Sequence, residues 1–132
     1  MGRKIIITAT LLGALGIILG AFGAHGLKKI VSETAVASYE VGVRYQMYHV
    51  FFLLFVGLSS FFTDAVKKRL FILTLIGVTL FSGSVYLLTF NGLQGFNVKF
   101  LGPITPIGGI FMILAWVYAA IQTLKMGKST KI

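Results

Sequence analysis

Eight side chains stand out in an otherwise apolar sequence because they can bind or react: His25, Arg44, Tyr45, Gln46, His49, Ser82, Ser84 and Thr105. Arg44 offers a permanent cation to an anionic group such as a lipid phosphate, and His49, Gln46 and Ser84 have the donors and acceptors to orient it. Ser82 or Ser84 with His49 as base would begin a nucleophilic pair, but no acid stands ready to orient the imidazole. A zinc ion could draw only on His25, His49 and Glu40. Catalytic zinc takes three protein ligands, so neither a metal site nor a cofactor is expected. There is no cysteine, which excludes disulfides, thiolate sites and cysteine nucleophiles. Glu33, Glu40 and Asp64 are the acidic residues, and none lies inside an apolar stretch. That argues against a carboxylate proton relay. Small multidrug-resistance exporters share this size and helix count, but they need a glutamate in their first span, and this chain has none. Nothing resembles a phosphate loop or a dinucleotide fingerprint.

The elements that must position these residues are four apolar stretches, 5–24, 45–62, 70–90 and 104–124. Each has about the 20 residues a membrane-spanning helix needs. The chain is 57% hydrophobic and 11% charged, whereas a soluble domain is about 25% charged. The fold expected is an all-α membrane protein. Residues 1–132 form one domain, a compact bundle of four transmembrane helices, with a short amphipathic interfacial helix between spans one and two. That polar segment, 27–43, has Ser32 as a helix cap and Glu33 in the first turn, and it can also run unbroken into span two. Glu40 and Arg44 are spaced to pair along it. Residues 64–69 read as a tight turn, and 91–102 as a longer loop broken by glycines, with Pro103 opening span four. Gly13, Gly16, Gly20 and Gly23, with Ala9, share one face of span one and read as a helix-packing surface. Thr10-Leu-Leu-Gly13 echoes Thr74-Leu-Ile-Gly77, a pattern that two parallel hairpin repeats would give.

A net charge of +9 invites a nucleic-acid reading. The distribution argues against it. Arg3, Lys4, Lys67, Lys68, Arg69, Lys125, Lys128 and Lys131 fall on the side of the two termini, against Lys28, Lys29, Arg44 and Lys99 on the other. This is the positive-inside pattern, so both termini are expected in the cytoplasm. Membrane lipids with anionic headgroups at that face are the expected partners. With this topology His49 lies roughly 7 Å deeper than Arg44 at 1.5 Å per residue, just below the outer surface. Ser82 and Ser84 rise toward that surface, and Thr105 opens span four there. The polar side chains therefore converge on the outer half. Two readings follow: an outward-opening polar pocket with a cation at its rim, or hydrogen bonds between helices worth about 0.6 kcal/mol each. Arg44 also suits snorkelling to headgroups, and His25 suits a helix end. Trp116 and Tyr118 read as inner-interface or packing aromatics.

Four segments in order carry a family resemblance: Gly20-Ala-Phe-Gly-Ala-His-Gly-Leu27, Tyr45-Gln-Met-Tyr-His49, Leu80-Phe-Ser-Gly-Ser84 and Leu101-Gly-Pro-Ile-Thr-Pro-Ile-Gly-Gly109. Together they resemble the "domain of unknown function 423" family of small four-helix membrane proteins. That family is widespread in bacteria, with a related mitochondrial membrane protein in animals. The resemblance implies an integral protein of a bacterial plasma membrane and assigns no catalytic residue. Three functions are carried forward. The first is a small transport or ligand- or lipid-binding protein with a polar pocket in the outer half of the bundle. The second is a non-enzymatic accessory subunit or scaffold, docking on a membrane partner or a second copy. The third is a membrane-embedded lipid-modifying enzyme, for which His49 or Ser84 would have to do the chemistry.

Overall fold

The computed structural model describes residues 1–130, with side chains to Met126. The Lys128 side chain and Lys131 lie outside the described residues. All the secondary structure in the described residues is helical: α1 (Gly2–Ala24), α2 (Glu33–Leu58), α3 (Asp64–Val78), α4 (Ser84–Thr89) and α5 (Ile104–Thr130). A π-helical turn, Thr79–Gly83, joins α3 to α4 into one continuous span. Four helical stretches are long and apolar enough to cross a bilayer: Gly2–Lys29, Glu33–Leu58, Asp64–Thr89 and Lys99–Met126. The chain runs up and down, so both ends of the described chain lie at one face of the bundle.

Several boundaries differ from the sequence reading, each for a local reason. The polar segment takes the second of its two expected forms and runs unbroken into span two. After a short 3₁₀ turn at Leu27–Lys29, the Ser32 hydroxyl accepts from the Ala35 N–H (3.1 Å), and the helix it starts continues unbroken to Leu58. Span two therefore ends at Leu58, not at residue 62. Ser59 turns the chain by accepting from the Phe61 N–H (3.0 Å), and Thr63 then caps α3 through the Val66 N–H (3.3 Å). Residues 64–69 are consequently the first turns of α3, and the connecting turn lies at 59–63. Glu40 and Arg44 form no ion pair. The long loop is tightly built. Gly92 and Gly95 have φ of 89° and 81°, where a Cβ would strain the backbone, and Asn91 Oδ1 accepts from the Val98 N–H (2.8 Å).

α2 is the central helix. Its neighbours are α1 on one side and α3 with α4 on the other, and α5 packs on α3. No Cα of α5 comes within 8 Å of a Cα of α1 or α2. One apolar core, including Ile5, Ala9, Leu53, Val56, Leu70 and Ala115, fills the bundle toward the face carrying the termini. The α1–α2 pair is antiparallel and in close register. A Cβ on Gly13 would meet Val50, on Gly16 Met47, on Gly20 Val43 and on Gly23 Tyr39. The small-residue face of α1 is thus covered by α2 within the chain. At its lower end Gly2 and Gly57 bring the backbones together, and Lys67 Nζ donates to the Gly57 carbonyl (3.1 Å), placing a cation on the C-terminal end of α2.

Candidate functional site

Register sets depth. Gly23, near the upper end of α1, faces Tyr39, and Gly13, at the middle of its 23 residues, faces Val50. His49 therefore sits at mid-depth of the bundle rather than just below the outer surface. Arg44 is itself about 7 Å below the level of Tyr39, at 1.5 Å per residue. The sequence reading took Arg44 as the edge of the span, but α2 begins eleven residues earlier, at Glu33.

The eight candidate residues do not line one cavity. They separate into four groups. Gln46 lies in the seam between α1, α2 and α4. Its Nε2 donates to the Leu12 carbonyl (2.8 Å), and its Oε1 accepts from the Tyr86 hydroxyl (2.5 Å). One helical repeat away, Tyr39 donates to the Leu19 carbonyl (2.6 Å), and its ring lies 5.2 Å from that of Tyr86. Both accepting carbonyls precede a glycine by four positions, Gly16 and Gly23. A side chain there would cover the carbonyl that the lock uses: a Cβ on Gly16 would lie 3.3 Å from Gln46 Nε2, and one on Gly23 would lie 2.7 Å from the Tyr39 ring. Ser82 belongs to the same seam and donates to the Gly42 carbonyl (2.7 Å).

Ser84 and Thr105 form a second group, with hydroxyls 2.6 Å apart between α4 and the start of α5. Ser84 also reaches the Leu80 carbonyl (2.5 Å). The π turn just before it lies where the span meets α5 most closely. A Cβ on Gly108 would lie 2.8 Å from the Leu80 carbonyl carbon and 2.9 Å from the Gly77 carbonyl oxygen. Neither serine bonds His49, so no serine–histidine pair exists. His25 and Arg44 form the third group: both are exposed, and neither side chain has a hydrogen-bond partner within the chain. Among the described residues no three His, Cys, Asp or Glu side chains come together as a metal would require.

The fourth group is different. Tyr45 and His49 face α5 across the gap between α2 and α5. His49 Nδ1 lies 2.7 Å from the Tyr45 carbonyl, and its Nε2 lies 3.0 Å from Trp116 Nε1. A carbonyl can only accept and an indole N–H can only donate. The imidazole is therefore the neutral tautomer protonated at Nδ1, with Nε2 as acceptor. His49 is 4% exposed while Trp116 is 50% exposed. The indole also lies 4.5 Å from the Phe52 ring, centroid to centroid. Two cavities follow the gap. The upper, ≈ 400 Å³, is bounded by Tyr45, His49, Phe81, Met112 and Trp116. The lower, ≈ 440 Å³, is bounded by Tyr48, Phe51, Phe55, Phe62, Ala120 and Trp116. Trp116 is the lining residue common to both. From sequence, Trp116 reads as an inner-interface or packing aromatic. Its spacing in α5 gave no sign of His49, because the two meet only through the tertiary arrangement.

These features define a small, all-helical membrane protein whose central helix is sealed on one flank and grooved on the other. Residues 19–109 match the family described as "Protein of unknown function (DUF423)", and the chain belongs to that family. It is 40% identical over 119 residues to a UPF0382 membrane protein of Staphylococcus epidermidis, covering 87% of this chain and 93% of the relative. A UPF0382 membrane protein of Haemophilus influenzae is 36% identical over 125 residues, 95% and 97% of the two chains. The UPF0382 membrane protein YwdK of Bacillus subtilis is 33% identical over 128 residues, 93% and 98%. No solved structure matches.

Proposed function

We propose that the protein is a non-enzymatic lipid-binding membrane protein whose site is the side groove between α2 and α5. The observation that carries this reading is the gap itself. Two helices that could have closed on each other stand apart, and the space between them is walled by aromatic side chains and open at the side. In a bilayer such a groove faces acyl chains, so its natural occupant is apolar and enters laterally. Tyr45 and His49 belong to this site. Gln46, Ser82, Ser84 and Thr105 instead hold helices together, which leaves no cluster of free polar groups among the described residues for a transport path or for hydrolysis. Arg44, exposed on the upper part of α2, snorkels to headgroup phosphates around the site. The termini face the cytoplasm of a bacterial plasma membrane. There Arg3, Lys4, Lys67, Lys68, Arg69 and Lys125 hold anionic headgroups, at about 1 kcal/mol per residue.

The test is native mass spectrometry after extraction in a mild detergent. The wild type should retain a lipid-sized adduct that Ala120→Trp loses. Ala120 is exposed in the lower cavity, so the larger ring fills the groove without entering the core. A bare wild type, or equal retention by the variant, overturns the reading.

A further inference from the structure

We infer that the groove takes a lipid carrying a hydroxyl on a flat ring, which replaces the Trp116 indole N–H as the donor to His49 Nε2. The inference rests on the lipid-groove reading above and specifies the class of lipid. The Tyr45 carbonyl holds the His49 Nδ1–H, so Nε2 is left as a fixed acceptor aimed at α5. It lies at mid-depth, where no water or headgroup reaches to satisfy it. Leaving a buried acceptor unpaired carries the full cost of its lost hydration. Trp116 currently supplies the donor, and it stands between the two cavities as the residue that borders both. A ligand long enough to occupy both must move the indole aside, and His49 then loses its partner.

This requirement selects among lipids. A plain acyl chain has no donor and would strand the imidazole. A carboxylate or phosphate brings only acceptors and a charge. The nearest cation on α2, Arg44, is five residues above His49 and exposed. A neutral hydroxyl supplies the donor without a charge. The ring requirement comes from what now fills the place: a flat aromatic body with one polar hydrogen, held at the Phe52 ring and beside Tyr45 and Phe81. Trp116 acts as an internal stand-in for the ligand, and the ligand is a ring-bearing lipid alcohol such as a phenol or hydroquinone with an apolar tail.

The experiment uses the full chain in phospholipid nanodiscs. The probes are a prenylated hydroquinone kept reduced without oxygen, its dimethyl ether, and a prenyl alcohol of the same tail. The chain has one tryptophan, so a single indole N–H resonance reports the His49 bond directly. The hydroquinone should bind about tenfold tighter than its ether and should shift that resonance. His49→Leu should abolish the preference. Trp116→Phe keeps the ring but removes the competing donor, so it should bind the hydroquinone more tightly than wild type. Equal binding of hydroquinone and ether overturns the inference and leaves the lipid groove intact. Prenyl alcohol binding as tightly as hydroquinone overturns the requirement for a ring. Unchanged affinity in Trp116→Phe overturns the exchange at His49. If none of the probes binds while wild type still retains a lipid that Ala120→Trp loses, the inference fails and the groove reading survives. If that retention is also absent, both fail.

Discussion

The two flanks of α2 solve the same problem in opposite ways. Toward α1, glycines let the backbones approach, and Tyr39 and Gln46 each donate to an α1 carbonyl, at 2.6 and 2.8 Å. Toward α5 there is no backbone approach. A single histidine–tryptophan bond and the tilted Phe52–Trp116 ring pair span the separation, with an open cavity on either side of Trp116. Without water or a hydrophobic driving force in lipid, helices associate through close packing and internal hydrogen bonds. The α5 flank has one such bond and no backbone approach, and the groove lies there. Close helix contacts take up Gln46, Ser82, Ser84 and Thr105; the open flank keeps Tyr45 and His49.

The contrast can be broken hardest where backbones touch. Gly108→Ala puts a methyl against the backbone at Leu80, which cannot move as a side-chain tip can. It should cost about 3 kcal/mol or more, read as a lower thermal midpoint in detergent. On the sealed flank, Gly23→Ala pushes into the Tyr39 ring, which is 1% exposed and tied to Leu19. A loss of about 1–3 kcal/mol is expected. Gln46→Leu removes two interhelical bonds at once and should cost about 1 kcal/mol on the membrane scale. Ala120→Trp, by contrast, should leave the thermal midpoint within about 0.5 kcal/mol of wild type, because the site is exposed, even as lipid retention falls. The smallest effect sharpens the reading of α1. A Cβ on Gly20 would meet only Val43, at an ordinary 3.5 Å, so Gly20→Ala should change stability by less than about 0.5 kcal/mol. If Gly20→Ala proves as damaging as Gly23→Ala, the seam is not organised by the carbonyl locks.

Much of the fold was legible because its signals are local. Hydropathy over 20 or so residues marks a span, and Ser32 marks a cap by its own hydroxyl. Glycines three and four apart mark a face that a neighbouring backbone can approach. The site was legible in type but not in arrangement. Gln46, His49, Ser82 and Ser84 could all be picked out as polar residues within spans, yet Gln46 bonds a carbonyl 34 positions away and His49 a tryptophan 67 positions away. The π turn at Thr79–Gly83 and the Gly77–Gly108 crossing were missed for a related reason. A helical glycine reads the same whether a Cβ would meet backbone, as at Gly108, or nothing, as at Gly83.

The sequence by itself determined that this chain crosses a membrane four times, which residues can cap its helices, and which few polar groups lie within the spans. Those follow from the solvent and from chemistry within one or two helical turns. Only the tertiary structure decided that α1 covers the glycine face, that His49 lies at mid-depth as a neutral acceptor for Trp116, and that α5 stands off from α2 to leave a groove. These depend on the register and separation of helices distant in sequence, and no local pattern encodes them.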